Sequence, residues 1–248
     1  MSRNGVARSA ALGFILLGSL LRAQDAPEIQ DNDTSPYHVA LLDYKAGKFQ
    51  EAYDTMVRVN DLVPPGQEAK YFILDSKILT ELKRYDEGEK ILRQILTPTG
   101  PVEVQLALGD LLLRKRSFDQ AAKYYTLALQ AKPDDPDIIL KLVYAKIGAS
   151  DFVGAGQDAS HLTPLDPKNP YDDHASYYFA KAALAQATGK SQEAEDAIQA
   201  ARTNYGITVT DRYLKTYLEF FSSTEKGAAA TEMTPPPLVK PAPTGAKP

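Results

Sequence analysis

The chain has 248 residues, 44% of them hydrophobic, 24% charged and 9% aromatic, which is the make-up of a folded protein of one or two domains and excludes disorder throughout. It has no cysteine, which excludes a disulfide framework, a thiol nucleophile and a lipid-bearing cysteine behind an apolar leader. Its formal net charge of −4, without a cluster of basic residues, disfavours nucleic acid and anionic lipid as ligands and points to protein partners.

The first predicted element is a targeting segment. Residues 1–23 open with Arg3 and Arg8, continue as an uncharged run from Ser9 to Leu21 and close on Leu21-Arg22-Ala23. About 12 apolar residues fall short of the roughly 20 that span a bilayer, so the pattern reads as a secretory signal peptide cleaved after Ala23. Arg3, Arg8 and Arg22 leave with it, which takes the net charge from −4 to −7. The expected location is periplasmic or secreted, with no membrane span once the signal is removed. Residues 24–32 read as a short acidic flexible leader, and Asn32-Asp33-Thr34 fits a glycosylation acceptor in a eukaryotic setting.

From residue 33 to residue 206 a frame of small and aromatic residues returns at close to 34 residues. Its clearest copy runs from Val102 to Asp135, where Leu108 and Gly109 are followed by Ala121, Tyr125, Ala128 and Pro133. Ala40, Phe49, Ala52, Val59 and Pro64 make the first copy, and Ser76, Tyr85, Gly88, Leu92 and Ile95 the second. Phe152, Ala155, Leu162 and Pro167 make the fourth, and Ala182, Ala194, Ile198 and Ala201 the fifth. The copies divide the array at about 33–68, 69–101, 102–135, 136–174 and 175–206. Gly109 and Ala121 are expected where two antiparallel helices joined by Lys115 to Ser117 cross closely, with Phe118 and Tyr125 filling the space towards the next pair. Ser35 before Pro36 and Asp135 before Pro136 are predicted N-caps, each with proline in the first helical turn.

This frame resembles the tetratricopeptide repeat family, most completely in the third copy. The glycine is missing from the first copy, Ala159 stands in the fourth where an aromatic is usual, and no copy has the tryptophan often found near the start of the motif. The resemblance implies an all-α, right-handed solenoid of about five helix-turn-helix units, ten repeat helices in all, whose first helices line a concave groove for a partner segment.

Residues 207–223 follow as a predicted capping helix over the last repeat, with Leu214, Tyr217, Leu218 and Phe221 at helical spacing. Residues 224–248 read as a disordered tail rich in proline and alanine, including Pro235, Pro236 and Pro237.

No constellation of catalytic type stands out. His38, His161 and His174 are scattered, no two of them at the close helical spacing of a metal site, and there is no phosphate loop and no nucleophile elbow. The expectation is a protein that is not an enzyme, with no cofactor and no metal. Asp172, Asp173 and His174 form one local cluster of ligand-capable side chains, which reads first as a helix cap. An alternative makes them the ion site of an accessory or metal-dependent subunit, and another makes the chain a structural spacer whose tail contacts the cell wall.

The groove implied by the resemblance would present Tyr37, Leu41 and Tyr44, then Ile73 and Lys77, then Leu106, Asp110 and Leu113. Leu140, Tyr144 and Ile147 would follow, with Phe179 at the far end. Lysine and asparagine pairs of the carboxylate-clamp type are missing from these positions, so the expected ligand is an apolar and aromatic segment oriented by Lys77 and Asp110. Tyr44 and Tyr144 are the expected anchors, because an aromatic ring with a polar tip suits a wet groove. The expected role is a protein-interaction scaffold, with a cell-envelope complex as its setting.

Overall fold

A computed structural model describes residues 35–59, 63–97, 100–164 and 175–222. The signal and leader readings, the tail, and Asp172, Asp173 and His174 fall outside the described residues. All regular structure among the described residues is α-helical: α1 (Pro36–Lys45), α2 (Phe49–Val59), α3 (Glu68–Glu81), α4 (Tyr85–Ile95), α5 (Val102–Arg114), α6 (Phe118–Ala131), α7 (Pro136–Gly148), α8 (Phe152–Ala159), α9 (Ala175–Ala187) and α10 (Ser191–Ser222). The last is two helices joined at Gly206, whose φ of 76° and ψ of 171° lie outside helical space.

The helix starts are chemical. Ser35 accepts a hydrogen bond from the His38 amide, and the Asp135 carboxylate accepts from the amides of Asp137 and Ile138; each satisfies amides that have no partner within the helix. Proline follows in both, where its missing N–H is harmless.

The stops carry the repeat. Gly47, Lys83, Arg116, Ser150 and Gly189 all have φ between 61° and 77°, the left-handed conformation. Each ends the first helix of a pair, and the amide after it donates back to a carbonyl five residues earlier: Lys48 to Asp43, Arg84 to Leu79, Ser117 to Leu112, Asp151 to Lys146 and Lys190 to Ala185, all at 2.8–2.9 Å. This closure satisfies the orphan carbonyls of the first helix and turns the chain into the second. The five positions are 36, 33, 34 and 39 residues apart, so the sequence period is the recurrence of one backbone turn.

Within pairs, α1 packs on α2, α3 on α4, α5 on α6, α7 on α8 and α9 on α10. Consecutive pairs are joined by α2 on α3, α4 on α5, α6 on α7 and α8 on α9, while α1, α3, α5, α7 and α9 also touch in succession. The first helices therefore form a row of their own, the packing expected of an α-solenoid of helical repeats. Small residues mark where helices approach. A Cβ added to Gly109 would stand 2.7 Å from the Tyr125 ring, and one added to Gly88 would stand 2.8 Å from Leu111. Tyr125 fills the space over Gly109 inside its own pair and shares a buried cluster with Ile138, Leu142 and Ala145 of the next, and Phe118 lies against Gly148 of that next pair.

Three clusters of buried apolar side chains follow one another along the array, around α1–α3, α4–α7 and α7–α10. Leu113 and Leu129 pack against both of the latter two, so the core is continuous there.

Candidate functional site: a cleft on the row of first helices

Counting back from each left-handed turn residue places the expected groove positions in register. Tyr37, Ile73, Leu106, Leu140 and Phe179 are ten residues before it; Leu41, Lys77, Asp110 and Tyr144 are six before it; Tyr44, Leu113 and Ile147 are three before it. These offsets put them on one helix face, because three, six or seven, and ten residues are successive turns of about 3.6 residues.

The structure brings seven of the twelve named groove residues together, Leu106 of α5 among them. Tyr37, Leu41 and Tyr44 of α1, Ile73 and Lys77 of α3 and Asp110 of α5 open onto one cleft of about 370 Å³, within the size range of ligand pockets. Lys70, Glu103, Leu106 and Lys141 complete its polar and apolar walls. Tyr37 is its aromatic edge: its ring lies 4.9 Å from that of the buried Tyr71, and Lys70 Nζ stands 4.5 Å from the Tyr37 ring centre. Burial, reinforced by Tyr71, pushes the Tyr37 phenol above its ordinary range.

One wall is held by a polar network. The Tyr125 hydroxyl donates to Asp110 at 2.8 Å, and Lys141 Nζ donates to the same carboxylate at 2.9 Å. Tyr125 is fully buried, and burial foremost, together with Asp110, raises its phenol well above the usual range. It therefore acts as a donor that fixes the Asp110 rotamer. At the far end of α1, burial pushes Tyr44 up; the carboxylates of Glu81, Asp110 and Glu219 add to this, while the Arg114 guanidinium opposes it.

The other five, Leu113, Leu140, Tyr144, Ile147 and Phe179, do not join the cleft. Tyr144 and Phe179 are 0% exposed and Ile147 is 6% exposed, while Leu113 packs against two hydrophobic clusters. The cause is the second part of α10. After the break at Gly206, residues 207–222 lie on the inner row, where Phe220 stacks on Tyr144 at 5.2 Å and Tyr213 stacks on Phe179 at 5.5 Å. The Tyr213 hydroxyl donates to Asp137 at 2.8 Å, Glu219 pairs with Arg114 at 2.9 Å, and Phe220 meets Phe118 edge-on at 6.0 Å. The helix expected to cap only the last repeat thus reaches back to α5. The choice of Tyr144 as a binding anchor is corrected: its ring is core, covered by residues far along the chain.

Lys70, Glu103 and Lys141 were missed by the sequence reading. Lys70 and Glu103 stand seven residues before Lys77 and Asp110, two helical turns earlier on the same face, so continuing the stripe towards the helix starts would have found them.

Residues 102–145 match the family model described as tetratricopeptide repeat. Over 109 residues, 44% of the chain, there is 27% identity to Protein O-mannosyl-transferase TMTC1 of Homo sapiens, and the match spans only 12% of that protein's length. Among solved structures, a tetratricopeptide repeat protein from Parabacteroides merdae aligns with a TM-score of 0.53 at 16% identity, over 74% of this chain and 70% of that one. MamA AMB-1 aligns with a TM-score of 0.50 at 18% identity, over 68% and 97%. At these identities the likeness is one of fold. The chain is an α-solenoid of helix pairs, and its residues 102–145 are similar to the tetratricopeptide repeat.

Proposed function

We propose that this protein is a non-enzymatic interaction scaffold that holds an apolar and aromatic segment of a protein partner in the cleft on α1, α3 and α5. The observation that carries the reading is the convergence of seven face-equivalent side chains from three successive helix pairs on one open cleft. Half-buried tyrosines beside lysine and aspartate give such a surface both contact area and orientation. Among the described residues no group of three or more histidine, aspartate or glutamate side chains gathers as a metal site would. The transferase name of the human relative belongs to that protein, of which the match spans 12%.

The setting proposed is the periplasm or the extracellular space, as part of a cell-envelope complex, on the strength of the targeting pattern in residues 1–23. No helix among the described residues is long and apolar enough to cross a membrane. A mass measurement on the exported protein tests the cut after Ala23, and an intact Met1 on a membrane-bound product would oppose it.

Affinity capture from the native envelope fraction tests the cleft. Tyr37→Ala combined with Tyr44→Ala is expected to weaken recovery of the captured partner by about tenfold or more, roughly 1.4 kcal/mol, with the helical circular dichroism retained. Equal recovery with the folded double variant would move the site off this face.

A further inference from the structure

The cleft has an uneven charge balance that specifies its occupant. Its two carboxylates are already engaged: Asp110 by Tyr125 and Lys141, and Glu103 by Lys132 at 3.4 Å. Lys70 and Lys77 have no carboxylate partner among the described residues; Lys70 lies only over the rings of Tyr37 and Tyr71, and Lys77 is exposed. On a chain of net charge −4, this leaves two cations on the lining of a cleft that also holds Tyr37 and Tyr44. Seven residues of helix separate them by about 10 Å, since each residue rises 1.5 Å.

The same row of first helices also shows what lies well on it. Residues 207–222 rest there as a helix, with an aromatic stripe of Tyr213, Tyr217 and Phe220 facing inward and an acid, Glu219, reaching a base of the row, Arg114. That helix leaves the α1–α3–α5 part open.

We infer that the open cleft takes an acidic amphipathic helix of a partner protein, with carboxylates seven residues apart over Lys70 and Lys77 and aliphatic or aromatic side chains between them on Tyr37, Leu41 and Ile73. The inference rests on the scaffold reading above and adds the partner's chemistry. Spacing by seven residues repeats the spacing of the two lysines, so one rigid helix meets both with little loss of side-chain freedom. The ion pairs are partly exposed, which makes the attraction sensitive to salt.

The test uses the full chain and three side-chain-stapled helical peptides of one sequence, with leucine and tyrosine between two variable positions seven apart that hold Glu, Gln or Lys. Fluorescence anisotropy at low ionic strength is expected to give the Glu peptide about tenfold tighter binding than the Gln peptide, and the Lys peptide the weakest. Lys70→Gln combined with Lys77→Gln is expected to abolish the difference between the Glu and Gln peptides. Equal binding of Glu and Gln peptides, a preference that survives the lysine changes, or no binding by any peptide overturns the acidic-helix inference. The scaffold reading fails separately, if Tyr37→Ala with Tyr44→Ala leaves every peptide's affinity unaltered.

Discussion

Asp75 is a buried carboxylate with an unpartnered oxygen: it lies in α3 at 7% exposure, and its Oδ1 has no hydrogen-bond partner among the described residues. Burial pushes its pKa from an ordinary 3.8 to about 6, against the lowering influence of Arg84 and with a smaller rise from Glu87. The folded form therefore holds a proton between about pH 4 and pH 6 that the unfolded chain has released, so stability falls as pH rises through this window and levels off above it. The loss is at most about 3 kcal/mol, since each tenfold change in proton affinity is worth about 1.4 kcal/mol. Asp75→Asn is expected to flatten that slope; denaturant titrations at pH 4.5 and pH 7 check it, and an unchanged slope would place the pH dependence elsewhere.

Gly109 illustrates a second kind of residue, whose value is the room it leaves. The Tyr125 ring lies where its side chain would be, and Tyr125 in turn fixes the Asp110 carboxylate at the cleft. This small position in the repeat frame thereby serves both packing and site geometry. The tyrosine and the glycine were legible from sequence as repeat positions. Their hydrogen-bonded consequence was not, because Asp110 and Lys141 are 31 residues apart and meet only when α7 packs on α5.

At the scale of elements, one turn repeated five times sets the architecture. The left-handed residue is glycine in the first and fifth pairs, but Lys83, Arg116 and Ser150 occupy it in the middle three. A side chain in that conformation crowds the backbone, at a cost on the order of 1 kcal/mol that glycine avoids. Lys83 is exposed, so Lys83→Gly removes crowding without removing a packed group. It is expected to raise stability by about 0.5–1 kcal/mol, seen as a higher denaturation midpoint at unchanged m value. A lower midpoint would show that the lysine side chain contributes more than its backbone costs. The glycine frame alone hides this turn, because non-glycine residues take it in three pairs; the spacing of the whole frame does not hide it.

At the scale of the whole described array, the break at Gly206 decides which part of the inner row is open. Residues 207–222 convert the face of α7 and α9 into core, stacking Phe220 on Tyr144 and Tyr213 on Phe179. Tyr144→Ala is accordingly expected to lower stability by about 3–5 kcal/mol, the cost of emptying a buried aromatic site. It should leave affinity for a peptide in the α1–α3–α5 cleft unchanged wherever the protein stays folded. Tyr144→Phe separates ring from hydroxyl: the hydroxyl is buried with no hydrogen-bond partner among the described residues, so its loss is expected to be neutral or stabilising. A thermal melt of both variants checks this, and a strongly destabilised Tyr144→Phe would reveal a polar role for that oxygen.

By itself the sequence determined the helix pairs and their period, because caps such as Ser35 and Asp135, small crossing residues and left-handed turns are chosen by interactions among residues close in the chain. It also determined which residues of each first helix share a face, since that follows from 3.6 residues per turn. Tertiary structure alone decided which inward faces are available. Tyr44 and Tyr144 lie on the same face of their first helices, one turn apart in register, yet one borders an open cleft and the other is sealed under Phe220. The difference arises from where a helix 60 to 80 residues further along comes to rest, a long-range packing choice that no local pattern around either tyrosine encodes.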